Sequence, residues 1–443
     1  MNTLLPFQKA GVAFALDRER TLIADEMGLG KTVQAVEYLN ANTRIRTVLV
    51  ICPASLKRNW QEQLDVWLRR SLAYVIVNYE RLPAVQDIEW DCVIVDEAHY
   101  IKNETSARHE QVRRLTAKAK HVLALTGTPI ENCPAEFWAL LSWLDPTEWI
   151  PQGMNEKRAK NIFIHRYCDP KRIVTNPGLY RRSGGQFGSK LIAVGAANIP
   201  ELVQRATRVM VRRLKTDVLP ELPAKRREIV LLDSEYDDSD LPGYHDISED
   251  TYELAVAKLK ADRVAFNQWS SRRHEQGLDK VRFIGAHVQR LLTEDRIPKV
   301  IVFAHHRDVI DELFMDLTEY EPVMLTGDST EVERAEAVDA FQNDERCRVF
   351  IGSIAAAGVG LTLTAASHVV FAELDPVPGR MNQAEDRAHR IGQRNMVMVQ
   401  HLVFDRTLDA RICKILLRKQ EILSDFDTAN TGIRSGSLDT SEG

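Results

Sequence analysis

Apolar residues along this 443-residue chain fall into two repetitive zones with a less regular stretch between them. In the first zone, short runs rich in Val, Ile and Leu (Thr21–Ala24, Thr47–Cys52, Leu72–Val77, Cys92–Val95, His121–Leu125) alternate with segments such as Val33–Leu39 and Ala54–Arg69. In those segments apolar residues recur at helical spacing. The second zone repeats the pattern: strand-like runs Lys299–Ala304, Val323–Leu325, Arg348–Ile351, Ser367–Ala372 and Val397–Phe404 alternate with helical patterns at Arg307–Leu317, Glu331–Phe341 and Arg380–Ile391. A continuously apolar run suits a strand buried on both faces, and the intervening helices supply the cover. The predicted fold class is therefore α/β, with two lobes of parallel sheet flanked by helices.

This pattern predicts a first lobe over 1–145, a region of helical protrusions over 146–296, a second lobe over 297–427 and a disordered tail over 428–443. The middle region lacks βα alternation and carries a Gly/Arg/Ser-rich stretch at Arg181–Ser189. A last helix is expected over Leu408–Leu423, before a small, polar end.

Composition narrows the class without naming a function. With 44% hydrophobic and 27% charged residues, the chain has ample core for such lobes. No apolar run approaches the roughly 20 residues that a membrane span needs, and the first residues lack the order of a signal peptide. Six widely separated cysteines suit small core residues in a reducing compartment, so a cytoplasmic protein is expected. The net charge of −5 conceals a polarity: residues 157–227 hold 17 Lys/Arg against 4 Asp/Glu, while residues 228–254 hold 10 Asp/Glu and no Lys/Arg. The basic tract is a candidate phosphate-contacting surface beside a segment that repels nucleic acid; alternatively the two tracts pair with each other.

The chemistry starts at Ala24-Asp-Glu-Met-Gly-Leu-Gly-Lys-Thr, a phosphate-binding loop between a strand and a helix. Gly28 and Gly30 let the backbone approach a triphosphate, Lys31 reaches its β/γ-phosphates, and the Thr32 hydroxyl ligates Mg²⁺. Asp25 stands where the general pattern has glycine. Val93-Ile-Val-Asp-Glu-Ala-His then ends a buried strand in two carboxylates, Asp96 to hold Mg²⁺ and Glu97 to orient or deprotonate the attacking water. ATP and Mg²⁺ are the expected cofactors. In the second zone, Arg387 and Arg390 lie three apart on the predicted helix, so both guanidinium groups project from one face as an arginine-finger pair would. The plainer alternative bonds them to Glu385 and Asp386 on the surface.

The span from Leu5 to about Leu423 resembles the SWI/SNF branch of the superfamily two helicase-like ATPases. The segments that carry the resemblance are Leu5-Pro-Phe-Gln-Lys-Ala-Gly-Val, Asp25-Glu-Met-Gly-Leu-Gly-Lys-Thr, Cys52-Pro-Ala-Ser-Leu-Lys-Arg-Asn-Trp, Asp96-Glu-Ala-His, Leu125-Thr-Gly-Thr-Pro-Ile-Glu-Asn, Val211-Arg-Arg-Leu-Lys-Thr-Asp-Val-Leu, Gly358-Val-Gly-Leu-Thr-Leu-Thr-Ala-Ala and Gln383–Gln393. Asp25 is what this family carries at that position. Within the branch, Tyr167-Cys-Asp, Arg212–Lys225 and Val370-Phe-Ala-Glu-Leu look most like the HARP-type annealing helicases.

The resemblance implies roles that spacing alone does not. Gln8 is similar to the residue that recognises adenine, with Phe7 or a neighbour on the base, and Gly360 and Gln383 fall in segments that join the nucleotide site. Ser55, Lys57 and Asn59, with Thr362 and Thr364, match segments that touch the nucleic-acid backbone, and Arg212 and Arg213 in the basic tract are added as DNA contacts. Thr126–Pro129 resembles the element relaying nucleotide state to the track. The expected protein is a monomeric, sequence-independent translocase on duplex or forked DNA, serving repair, replication or recombination and moving without strand separation. The start at the adenine motif leaves annealing in doubt and suits a bacterial or bacteriophage protein, with a nuclear location if eukaryotic. An RNA-directed helicase and a non-hydrolysing nucleotide-gated clamp are the alternatives.

Overall fold

The computed structural model describes residues 3–174, 177–183, 189–193, 195–246, 256, 262–357, 360–416, 419 and 426–427. The chain divides into two compact units, each assembled from separate stretches: residues 1–167, 196–221 and 423–443 form the first, and residues 168–195 and 222–422 the second. The stretch expected as one intervening region, 146–296, is thus shared between the two. Parts of the Gly/Arg/Ser-rich stretch, of the last helix and of the acidic tract, and all of the tail, lie outside the described residues.

In the first unit β1 (Arg20–Ile23), β2 (Thr47–Cys52), β3 (Ala73–Asn78), β4 (Cys92–Val95) and β5 (His121–Leu125) are followed, after an antiparallel hairpin of β6 (Pro170–Val174) and β7 (Ser189–Ala193) belonging to the second unit, by β8 (Met210–Val211). The sheet order is β3-β2-β4-β5-β1-β8 and every pairing is parallel. The apolar runs Val48–Cys52 of β2 and Cys92–Val95 of β4 are explained by their place in the sheet's interior, with helices α1 (Pro6–Leu16), α2 (Lys31–Ala41) and α3 (Lys57–Trp67) among its cover. The consequence for function is the order β4-β5-β1: the carboxyl ends of β1, where the phosphate loop starts, and β4, where Asp96 stands, flank that of β5. In open parallel sheets ligands bind at such strand ends.

The expectation of helical protrusions missed four strands, the β6–β7 hairpin and one edge strand of each large sheet. Met210–Val211 is short, but its ladder runs past both ends, with Val209, Val211 and Arg213 carbonyls accepting from the Leu22, Ala24 and Glu26 amides at 2.7, 2.8 and 2.9 Å. In the second unit β9 (Lys225–Leu232) precedes β10 (Val300–Ala304), β11 (Val323–Leu325), β12 (Val349–Ser353), β13 (His368–Phe371) and β14 (Val397–Phe404). The order is β11-β12-β10-β13-β14-β9, again all parallel, with β9 in register with β14 from Lys225↔Val397 to Leu232↔Phe404. As an edge strand with one exposed flank, β9 carries Lys225-Arg-Arg-Glu and so has no continuous apolar signature. Alternate residues of each central strand feed opposite cores: Ile301, Phe303, Phe350 and Phe371 on one face, Val300, Val302, Ile351 and Val370 on the other. The 31-residue helix Arg263–Thr293 supplies Ile284, Val288, Leu291 and Leu292 to the latter.

Two buried ion pairs hold the second unit. Lys280 of the long helix, fully buried, meets Asp409 Oδ2 at 2.6 Å, with Arg273 at 3.4 Å from Oδ1. Glu385, also fully buried, accepts two hydrogen bonds from Arg227 of β9 at 2.9 and 2.6 Å and lies 2.8 Å from Lys225, which reaches Asp386 at 3.0 Å. Burial alone would raise the Glu385 carboxyl, but Lys225 and Arg227 outweigh it and bring it down to about 2.

Removing Asp409 strands the Lys280 ammonium in the core, so Asp409→Ala should lower stability by about 3–5 kcal/mol in urea unfolding. The Glu385 pair sets a pH window. Its folded value lies below an unfolded value of about 4.3, so its contribution, on the order of 3 kcal/mol, is full above that pH and disappears as pH falls towards 2. The stability difference between wild type and Glu385→Gln should therefore shrink between pH 5.5 and about pH 3, as read by paired urea titrations.

Candidate functional site

The phosphate loop takes its shape from two left-handed glycines. Gly28 (φ 81°) and Gly30 (φ 74°) occupy backbone that side chains disfavour. Gly30 also meets Gln8, because a Cβ there would lie 2.6 Å from Gln8 Nε2. Gln8 is buried; its Nε2 donates to the Leu29 carbonyl at 3.1 Å and its Oε1 accepts from the Leu5 amide at 2.9 Å. The residue expected to read adenine thus braces the loop against the start of α1. Lys31 and the half-buried Thr32 open α2, whose first amides point towards the loop. The Lys31 Nζ donates to the Asp25 and Glu26 carbonyls at 2.9 and 3.4 Å. Its pKa is lowered, chiefly by burial, against the attraction of Glu97, Asp25 and Asp96.

Across β5 from the loop, Asp96 is buried. Its Oδ2 accepts from Trp60 Nε1 at 2.7 Å and its Oδ1 from the Glu97 amide at 2.9 Å. Burial, then the negative charge of Glu97, pushes the Asp96 carboxyl up to about 7. Glu97 has φ 49°, a left-handed conformation rare outside glycine and asparagine. A neighbouring pair of carboxylates in a water-poor site, with a lysine amine nearby, is short of positive charge, and that donor set fits Mg²⁺ held with a nucleotide's phosphates.

Thr126, at the end of β5 between these elements, ties them together. Its hydroxyl lies 3.1 Å from His99 Nδ1, which is also 3.3 Å from the Glu97 carboxylate. Burial lowers the His99 pKa, Glu131 opposing it, so the ring stays neutral at pH 7. Beyond it Lys102 bridges Glu131 and Glu136 at 2.5 and 3.0 Å. At Gly127 a Cβ would come 2.4 Å from Met27 Cγ and 3.3 Å from Lys31 Nζ, which explains the glycine. Lys31, Thr32, Asp96 and Glu97 therefore belong to one strand-end cradle. Ser55, Lys57 and Asn59 lie where β2 leads into α3, with Lys57 exposed and the other two half-buried.

Arg212 and Arg213 do not line a track. Both are buried behind the phosphate loop: Arg213 Nη1 donates to Asp25 Oδ2 at 2.9 Å, and Arg212 Nη1 donates to the Ala24 and Gly127 carbonyls at 2.8 and 3.1 Å while its Nε reaches Asp427 at 2.5 Å. A count of basic residues cannot separate guanidinium groups facing solvent from those facing loop carbonyls. The assignment of this pair to DNA is therefore corrected to support of the loop.

In the second unit the expected helix over Arg380–Ile391 is shorter, Pro378–Glu385, so Arg387 and Arg390 are not two residues on one helical face. Arg387 lies past the helix end, and its carbonyl accepts from the Leu363 amide at 2.9 Å. Arg390 Nη1 donates to the Leu361 carbonyl at 2.8 Å, and Gln393 Nε2 to the Ala366 carbonyl at 2.8 Å. The arginine segment is thus sewn to the segment bearing Thr362 and Thr364, the latter 3.2 Å from Gln342. Gln383 is buried in the short helix and Gly360 is exposed with φ 65°. Gly358 and Val359 lie outside the described residues. Glu385 and Asp386 take the Lys225 and Arg227 pairs described above, and the charge of Asp386 also acts on Arg390, opposing the lowering of its pKa by burial.

Sequence reading missed Trp60, Tyr79, His99 and the Asp25–Arg213 pair as parts of the site. Trp60 and His99 stood inside quoted motifs without a role, and the buried pair left an acidic residue in a glycine position as its trace. Among the described residues, no helix is long and apolar enough to cross a membrane.

The SNF2-related domain matches this chain in two overlapping stretches, residues 7–82 and 70–261, and the helicase conserved C-terminal domain matches residues 284–392. Among curated proteins, the SWI/SNF-related matrix-associated actin-dependent regulator of chromatin subfamily A-like protein 1 homolog of Caenorhabditis elegans is 33% identical over 98% of this chain and 63% of its own length. The human DNA annealing helicase and endonuclease ZRANB3 is 32% identical over 95% of this chain and 40% of its own. The chain spans roughly half the length of the curated relatives it matches, from 40% to 63%. A solved structure described as the Sulfolobus solfataricus SWI2/SNF2 ATPase core in complex with dsDNA aligns with 98% of this chain and 94% of that one, at 22% identity and a TM-score of 0.41. A domain match running through more than half of the residues, over the strand ends that carry Lys31, Asp96 and Glu97, shows that this chain belongs to the SNF2-related family of helicase-like ATPases.

Proposed function

We propose that this protein is a DNA-dependent ATPase that translocates along duplex or forked DNA without sequence preference, as a monomer. The observation that carries the reading is the cradle of the first unit: left-handed glycines, Lys31 and Thr32 at a helix start, and the strained Glu97 beside Asp96, linked through His99 to Thr126. Phosphoryl transfer asks chiefly for positioning and charge neutralisation, and these groups supply both. ATP is the proposed nucleotide, with Gln8 and the Gly28–Thr32 backbone holding it and Thr32 and Asp96 holding Mg²⁺, which when bound supplies positive charge to the β/γ-phosphates. Lys31 exchanges its loop carbonyls for phosphate oxygens, since a lowered pKa costs it little once anionic partners arrive. Glu97 orients the attacking water and accepts its proton, and its strained backbone fixes that aim. Arg387 and Arg390 are proposed to stabilise the transferred phosphoryl group, with Gly360 and Gln383 as nucleotide neighbours.

Duplex DNA is the proposed partner: the human relative is named a DNA annealing helicase and endonuclease, and polar residues stand at the two candidate track segments, Ser55, Lys57 and Asn59 in one unit and Thr362 and Thr364 in the other. Such residues suit phosphate contacts, which position a protein without reading sequence.

The test is ATP turnover with duplex DNA, RNA or neither. Duplex DNA should stimulate and RNA should not; Lys31→Ala should lose turnover and nucleotide affinity together, and Glu97→Gln should keep affinity while turnover stops. Wild-type turnover by Glu97→Gln would remove that carboxylate from the chemistry. Arg387→Ala should lose DNA-stimulated turnover by about 10³-fold, or about 4 kcal/mol of transition-state stabilisation, with DNA affinity little changed. Lost DNA affinity with normal turnover would place Arg387 on the track instead.

A further inference from the structure

Asp96 is held by two aromatic donors whose purpose the proposed chemistry leaves open. Trp60 is fully buried in α3, and its Nε1 donates to Asp96 Oδ2 at 2.7 Å. The Tyr79 hydroxyl, just past β3, donates to the Asp96 carbonyl at 2.6 Å, while the Asp96 amide donates to the Ile51 carbonyl of β2 at 2.8 Å. Tyr79 stacks on Tyr100, with centroids 5.4 Å apart at 15°. Burial, then the nearby Asp96 and Glu97, raises the Tyr79 pKa well above its ordinary value, so the phenol keeps its proton. The Asp96 main chain is thus pinned at both ends, and its carboxylate is held by two donors, the adjacent Glu97 amide on Oδ1 and the Trp60 indole of α3 on Oδ2.

A buried indole needs an acceptor, and a main-chain carbonyl would serve. Here the acceptor is instead a carboxylate oxygen of the residue proposed as metal ligand. The same helix carries Lys57 and Asn59, and Ser55 sits in the turn just before it. An 11-residue helix moves as a body, so a shift of its first turn on DNA displaces the indole with it. The hydrogen bond must then stretch or carry the carboxylate along.

The geometry points to Trp60 as a positioning residue that aims the Asp96 carboxylate and transmits engagement of the Ser55–Asn59 segment to it. The inference rests on the proposed reading of Asp96 as metal ligand and of Ser55–Asn59 as track. It makes stimulation by DNA a property of one side-chain hydrogen bond.

Trp60→Phe removes the N–H and keeps an aromatic ring in the core. Three quantities are measured with the full chain: duplex affinity, the Mg²⁺ concentration giving half-maximal binding of a fluorescent ADP, and ATP turnover with and without duplex. Duplex affinity should stay within about twofold, the Mg²⁺ midpoint should rise by about fivefold to tenfold, and the ratio of stimulated to basal turnover should fall by about tenfold, as loss of a hydrogen bond to a charged group implies. An unchanged midpoint and an unchanged ratio in a variant with the wild-type melting temperature overturn the inference. Failure of wild type to respond to duplex would instead sink the functional reading on which it rests.

Should Trp60→Phe not fold, wild type labelled with ¹⁵N at its indoles decides. Mn²⁺ with ADP should broaden one indole resonance strongly, and duplex DNA added without nucleotide should shift that same resonance. A broadened resonance that DNA leaves unmoved overturns the coupling.

Discussion

The buried pair between Asp25 and Arg213 is the constraint on which the nucleotide cradle depends. Asp25 is fully buried at the start of the phosphate loop, where water cannot solvate a carboxylate, and placing such a charge there costs several kcal/mol unless an opposite charge and hydrogen bonds meet it. Arg213 meets Oδ2 at 2.9 Å, and Gln34 of α2 donates to the same oxygen at 2.9 Å. That requirement explains several other features. The β8 backbone runs on beside the loop as far as Glu26, which delivers Arg213 in place, and Arg212 spends its donors on the Ala24 and Gly127 carbonyls. Gly11 of α1 lacks a Cβ because one would lie 2.0 Å from Gln34 Oε1 and 2.8 Å from Arg213 Nη1. One buried charge therefore ties together an arginine beside an edge strand, a glutamine of α2 and a glycine of α1, from three parts of the chain.

The cradle itself shows the opposite electrostatic habit. Where Asp25 Oδ2 meets a cation within the protein, Asp96 is pushed up to about 7 and Lys31 is lowered, both first of all by burial. Charged groups held this way gain when ionic partners enter, so the folding cost of the site returns as binding energy. His99 links Glu97 to Thr126, at 3.3 Å from the carboxylate and 3.1 Å from the hydroxyl, and burial lowers its pKa.

Much of the fold could be read from the chain because its signals are local. The five strands read in the second zone and the five in the first match β10–β14 and β1–β5 closely, since an apolar run between helical patterns marks a strand buried on both faces. The strands β8 and β9 could not be read that way. One is two residues long, and the other is an edge whose Lys225-Arg-Arg-Glu start imitates a solvated helix. The helix expected to continue through Arg390 stops at Glu385, and past its end the Arg387 carbonyl bonds a segment more than twenty residues earlier, which no spacing rule anticipates. At the site, glycine positions and carboxylates at strand ends were legible as chemistry. The left-handed backbone of Glu97, the Trp60 bond to Asp96 and the burial of Arg212 and Arg213 depend on contacts distant in sequence.

The interleaving of the two units has a consequence for how the chain is made. A ribosome delivers residues in order, and domains tend to fold as they emerge. Here the first unit cannot close its sheet edge until Met210–Val211 and the arginines after it have left the exit tunnel, and the Asp427 that meets Arg212 is synthesised only after the whole second sheet. Until then Asp25 has no Arg213, and the loop lacks the charge that shapes it. A polypeptide halted between residues 168 and 209 would thus carry every residue of the phosphate loop and still lack the arginine that pairs with Asp25.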